Sequence, residues 1–171
     1  MKSVLPPIDQ LNRLAKAVMQ QRQINYEDAL AVLSGFRIHF SCPTASARRL
    51  QYQAALLTAI NVGKRAFLGG VTVQVSSTVL CVLPGWTGRP LHAVAQELGA
   101  KIVHNRPETE KVVWLGTGED AHPGDLILVA DDWRGGFVPA GTTLPFAEVD
   151  GGALGGVFAA GLTVARMFVE I

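Results

Sequence analysis

The chain has 171 residues, enough for one domain that buries roughly 70% of its unfolded surface without disulfide or metal staples. A net charge of +1 carries no electrostatic footprint for nucleic acid or for an anionic membrane, which sets both partner classes aside. Charged residues make up only 17% of the chain against 49% hydrophobic, where about 25% charged is usual; the deficit suggests a surface covered by a protein partner, a second copy or another piece of the same polypeptide.

The opening Met1-Lys-Ser-Val-Leu-Pro-Pro7 lacks the apolar core of a signal peptide, and Pro6-Pro7 punctuates it. Leu11, Leu14, Ala15, Val18 and Met19 recur at helical spacing, so a helix is expected from about Asp9 to Gln23. A second, shorter one opens at Asn25 or Tyr26 and ends at Gly35. Phe36–Phe40 alternates as a strand, ended by Pro43. Ser46 is the expected N-cap of a long helix to about Phe67, with Arg48, Arg49, Lys64 and Arg65 at its two ends. Those basic ends suit a solvated surface better than a phosphate site.

Gly69-Gly70 breaks that helix, and Val71–Val75 is a β-branched strand. A further strand is expected at Val79–Leu83, stopped by Pro84-Gly85. Pro90 is placed to open a helix over 91–98 with Gly99 as its C-cap. Short strands follow at Lys101–His104 and Lys111–Leu115. Leu126–Ala130, an apolar run between acids, reads as a strand covered on both faces. After a Gly/Pro-rich crossing comes 151–168, with glycines at 151, 152, 155, 156 and 161 and almost no charge before Arg166. It is too short for a membrane span, which needs about 18–20 apolar residues, and reads as a buried helix that another backbone approaches closely.

The alternation predicts an α/β fold: a Rossmann-like, mostly parallel sheet flanked by helices, with a helical N-terminal extension. Residues 1–44 are assigned to the extension plus a strand, and 45–171 to the α/β domain. The ending at Phe168-Val-Glu-Ile171, still helical in pattern, reads as the boundary of a piece of a longer protein.

Chemistry is sparse. Gly116-Thr-Gly118-Glu-Asp-Ala121 matches a dinucleotide fingerprint in form, but His122-Pro-Gly-Asp125 follows where a helix is needed, so a plain turn is the better reading. Pro84–Pro90 does lie between a strand and a helix. Gly85, Gly88 and Arg89 are therefore candidate anion contacts, although Pro90 removes one donor. Asp131 and Asp132 close the 126–130 strand and are candidates to hold Mg²⁺ with a nucleotide, or else plain turn and helix caps. The four histidines lie on separate elements without ligand spacing, and neither a nucleophile elbow nor a P-loop is present. Cys42 and Cys81 have no metal or redox spacing and read as inert, reduced thiols of a cytoplasmic protein. Trp86 and Trp133 read as core or interface residues.

The strand Asp125–Trp133, the Gly/Pro crossing and the small-residue helix 151–168 resemble the C-terminal half of ThiF-type, ubiquitin-activating-enzyme-like adenylation domains. The resemblance extends over about residues 45–168. It implies a glycine-rich loop after the first strand, and the corresponding place, after Val71–Val75, reads Ser76-Ser-Thr-Val-Leu80 instead. The family's ATP-contacting Arg and Lys and its transfer cysteine have no clear counterpart, and Asp131 or Asp132 would match its magnesium aspartate. The resemblance therefore implies a degenerate, non-adenylating copy without a cofactor, a scaffold or dimerisation half that associates through 151–168. The alternative is a small nucleotide-binding enzyme taking ATP with Mg²⁺, or a dinucleotide, at Gly85, Gly88, Arg89, Asp131 and Asp132. A third reading is an α/β interaction domain unrelated to that family.

Overall fold

The computed structural model describes residues 8–107, 111–143 and 150–169. Pro6, Pro7, residues 144–149 of the crossing, Glu170 and Ile171 lie outside that set.

Six strands form one sheet in the order β3-β2-β1-β4-β5-β6. They are β1 (Arg37–Cys42), β2 (Gly70–Val75), β3 (Lys101–Ile102), β4 (Lys111–Leu115), β5 (Leu126–Ala130) and β6 (Gly135–Pro139). β1 pairs in parallel with β2, Phe40 opposite Val73, and with β4, Phe40 opposite Val113. β5 continues in parallel, and β6 turns back antiparallel with Phe137 opposite Leu128. The mostly parallel, helix-flanked sheet expected from sequence is thus present. β1, grouped above with the N-terminal extension, is one of its two central strands.

Period-two alternation divides the sheet into unequal faces. Ile38, Phe40, Val73, Val113, Leu115 and Leu128 point into the main core. Against them pack α3 (Thr44–Ala47), α4 (Leu50–Ala66), α5 (Leu91–Glu97) and α6 (Ala153–Val169). α6 runs alongside α4. Gly156 meets Gln51 and Ala55 at one end, and Phe168 stands edge-on to Phe67 at the other, ring centres 6.1 Å apart. The opposite face carries a smaller cluster, Val112, Trp114, Ile127 and Val129, completed by Ala121 and Val138. Among the described residues no helix joins that cluster. Two further helices, α1 (Ile8–Arg22) and α2 (Tyr26–Gly35), pack together around Ala15, Ala29 and Leu33, with Phe36 and Leu68 tying them to the chain entering β1 and β2. Asn25 caps α2 by accepting the Asp28 N–H at 2.9 Å.

Four expectations need correction. The helix expected from Ser46 to Phe67 is two helices, because Arg49 adopts extended backbone (φ −94°, ψ 138°) and starts α4 itself. Ser46 is buried inside α3 beside Gly116 and caps nothing. The strand expected at Val79–Leu83 never joins the sheet. It folds back on Arg89–Leu91, with Cys81 N–H donating to Arg89 O at 2.8 Å and Leu91 N–H to Val79 O at 2.9 Å. The Gln53 side-chain amide then stands in for a neighbouring strand, donating to Leu80 O at 2.9 Å and accepting from Val82 N–H at 2.8 Å. β6 was not anticipated, since Gly135-Gly136 hides it from strand propensity. Finally, α6 is buried on one side only. Gly155, Gly156, Ala159, Ala160, Val164 and Met167 face inward, while Leu154 (58% exposed) and Phe158 (59%) face out. Trp133 is likewise exposed, whereas Trp86 packs against the core.

His39, on the second face of β1, is fully buried. Its Nδ1 lies 2.9 Å from Thr72 Oγ1, and its Nε2 is buried without a hydrogen-bond partner. Burial, and then the charge of Arg106, lower the imidazole pKa from 6.5 to about 4. Between those values the unfolded chain holds the extra proton, so stability present above pH 6.5 is lost as the pH falls towards 4. The loss is on the order of 2–3 kcal/mol. Urea titrations across this range are expected to show that slope in the wild type and a shallower one in His39→Gln. Equal slopes would mean that another group sets the acid limit.

Candidate functional site

In an open parallel sheet, ligands gather beyond the carboxyl ends of the strands, where the strand order reverses. Here the reversal falls between β1 and β4, and a crevice of about 760 Å³ opens at that edge. β1 contributes Ser41 and Cys42, β2 contributes Gln74 and Val75, and β4 contributes Trp114. α5 adds His92 and Gln96, and Asp120 comes from the turn after β4. The wall carries hydroxyls, amides and imidazoles, and none of the described lining residues is Lys or Arg.

Several of these groups are held in place. The Ser41 hydroxyl reaches Gln74 Oε1 at 3.4 Å, and Gln74 Nε2 donates to His104 O at 3.0 Å. The His92 Nδ1 atom is buried and unpartnered. Cys42 is no nucleophile, because burial pushes its thiol up to about 12. Burial also raises the Cys81 thiol, and the two cysteines are unpaired.

With β1 as the first strand of the fold, the turn that would cradle phosphate is 43–49, not the segment after Val75. It reads Pro-Thr-Ala-Ser-Ala-Arg-Arg and contains no glycine. A short helix fills it, and Ser46 is packed against Gly116, itself at φ +83°. The Gly116–Ala121 segment is a turn into β5, with Ala121 N–H donating to Gly118 O at 3.0 Å.

None of the five residues singled out from sequence lines the crevice. Gly85 (φ +88°) and Gly88 (φ +81°) shape the turn before α5. The Gly88 N–H donates to Cys81 O at 2.9 Å and the Arg89 N–H to Trp86 O at 3.0 Å, so both donors are engaged within the chain. The Arg89 guanidinium pairs with Glu97. Asp131 accepts from the Arg134 backbone N–H at 3.0 Å and from its Nε at 2.8 Å, and these bonds hold its carboxyl below the usual range. Asp132 accepts the Gly152 N–H at 2.8 Å, and its carbonyl takes the Gly155 N–H at 3.2 Å. The two aspartates thus tie the β5–β6 turn and the start of α6. Among the described residues, no three of His, Cys, Asp and Glu converge as a metal cluster would.

Sequence reasoning missed Ser41, Gln74 and His92. The available signal was two polar residues at the carboxyl ends of otherwise apolar strands, a pattern that gains meaning only once the strands are neighbours.

The strand order and the crevice define an open, Rossmann-like α/β domain whose phosphate turn is closed. The family model described as BilD N-terminal domain matches residues 37–171, and the chain belongs to that family. No curated protein and no solved structure matches it.

Proposed function

We propose that the chain is a non-catalytic, ThiF-like Rossmann module that pairs with a second copy of its fold through the outward face of α6. The observation that carries this reading is the row Leu154, Val157, Phe158 and Leu162, all exposed on a helix with a single charged residue, Arg166. An apolar row of this kind on a folded domain marks an interaction surface. The closed turn 43–49 and the engagement of Asp131 and Asp132 in turn and helix contacts speak for a module without adenylation chemistry and against an ATP–Mg²⁺ site at those aspartates.

The same reading places the chain in the reducing cytoplasm, supported by two buried, unpaired cysteines. Among the described residues no helix is long and apolar enough to cross a membrane.

Sedimentation equilibrium between about 1 and 100 µM tests the pairing, a range that reports dissociation constants in the micromolar decade. The wild type is expected to shift from monomer to dimer across it. Phe158→Glu with Leu154→Ser is expected to stay monomeric with an unchanged melting temperature, because both side chains already face solvent in the single chain. A wild type that remains monomeric throughout would overturn the self-pairing.

A further inference from the structure

We propose that the crevice at the carboxyl edge of the sheet binds an uncharged nucleoside and discriminates against the corresponding nucleotide. Its volume, about 760 Å³, lies within the 300–1,000 Å³ usual for small-molecule sites. One part of its wall is apolar, with Pro43, Val75, Ile102, Val103 and the ring of Trp114. Trp114 is held by its indole N–H, which donates to Asp125 Oδ2 at 3.1 Å, so its place in the wall is fixed. The other part is polar: Thr44 and Ser77 offer hydroxyls and Gln96 an amide, beside Ser41, Ser76 and Gln74, which are bonded to neighbours within the chain. A base on the apolar side and a ribose on the hydroxyl side satisfy both walls.

The same wall excludes phosphate. The turn that would carry its N–H cradle is filled by Pro43 and α3. None of the described lining residues is cationic, and Asp120 adds a negative charge at the rim. Arg89 is committed to Glu97, Arg106 to Asp125 and Arg49 to Asp150, and Arg48 is not among the lining residues. A phosphate would therefore enter desolvated and unpaired, which costs binding.

Isothermal titration of the chain with adenosine, AMP and glucose tests the proposal. Adenosine is expected to bind saturably with a dissociation constant between about 10 µM and 1 mM, and AMP at least about tenfold more weakly. Ser77→Trp, at an exposed position of the lining, is expected to fill the crevice and abolish binding. Proton NMR of the wild type supplies a readout independent of that variant: adenosine should move the Trp114 indole resonance and leave that of Trp133 in place. The proposal is overturned if adenosine gives no saturable heat, if AMP binds as tightly, if glucose binds and adenosine does not, or if the Trp114 signal stays fixed. A folded Ser77→Trp chain that still binds adenosine would also sink it.

Discussion

Gly156→Ala is expected to lower stability by about 3 kcal/mol or more, while Gly161→Ala, five residues along the same helix, is expected to raise it by up to about 1 kcal/mol. Both changes replace glycine by the best helix former, so propensity alone predicts a gain at each. Packing separates them. A Cβ at Gly161 meets nothing within 4 Å. At Gly156 it falls inside van der Waals contact with the Gln51 carbonyl and lies 3.3 Å from the Ala55 nitrogen. These are backbone atoms of α4, which cannot turn aside as a side chain can. The helices must separate, unseating the Ala159, Ala160, Val164 and Met167 stripe from the core. For a chain of this size the loss corresponds to a fall of about 6–12 °C in the melting temperature, at 2–4 °C per kcal/mol. Thermal denaturation followed by circular dichroism decides it, and a neutral or stabilised Gly156→Ala would show that the two backbones are not in contact.

The second large effect is expected at Asp125, whose carboxylate is only 4% exposed. It accepts from Arg106 Nη1 at 2.6 Å and Nη2 at 3.0 Å, from the Trp114 indole at 3.1 Å and from the His122 backbone N–H at 2.9 Å. Asp125→Ala deletes the acceptor common to four donors and leaves Arg106 a partly buried cation without its carboxylate. Breaking a buried pair from one side costs about 3–5 kcal/mol. Arg106→Leu, which strands the carboxylate but keeps the indole and backbone donors, is expected to cost less. Urea midpoints of the two variants and of their combination give the coupling directly. Additive losses would mean that the pair contributes nothing as a pair.

Legibility from sequence followed the range of the forces involved. The β5 run Leu126–Ala130 and the glycine-bearing helix 151–168 were readable because local pattern alone determines them. The α/β class followed from their alternation with the other elements. Strand order was not readable, because β1 finds β4 across a long stretch of chain and nothing within either segment names its neighbour. For the same reason Phe36–Phe40 was grouped with the N-terminal extension, and the phosphate turn was sought after Val75 rather than after Cys42. The crevice failed for a related cause. Ser41, Gln74, His92 and Trp114 come from four elements, and only the finished sheet sets them around one space. Asp131 and Asp132 were visible as a pair, but their partners Arg134 and Gly152 set their role, and the link to Gly152 spans 20 residues.

The central position of β1 has a consequence for how the chain is made. β1 is complete at Cys42 and can pair with β2 by Val75, but its other edge waits for β4, which begins at Lys111. At 5–20 residues per second on the ribosome, that edge stands open for roughly 3–14 s after β1 emerges. An open edge of hydrogen-bonding groups is a template for wrong partners, including the same strand on a neighbouring nascent chain. Slow stretches of translation between Val75 and Lys111 would lengthen that interval, so the yield of folded protein should be sensitive to codon choice in this segment more than in the segments that follow it.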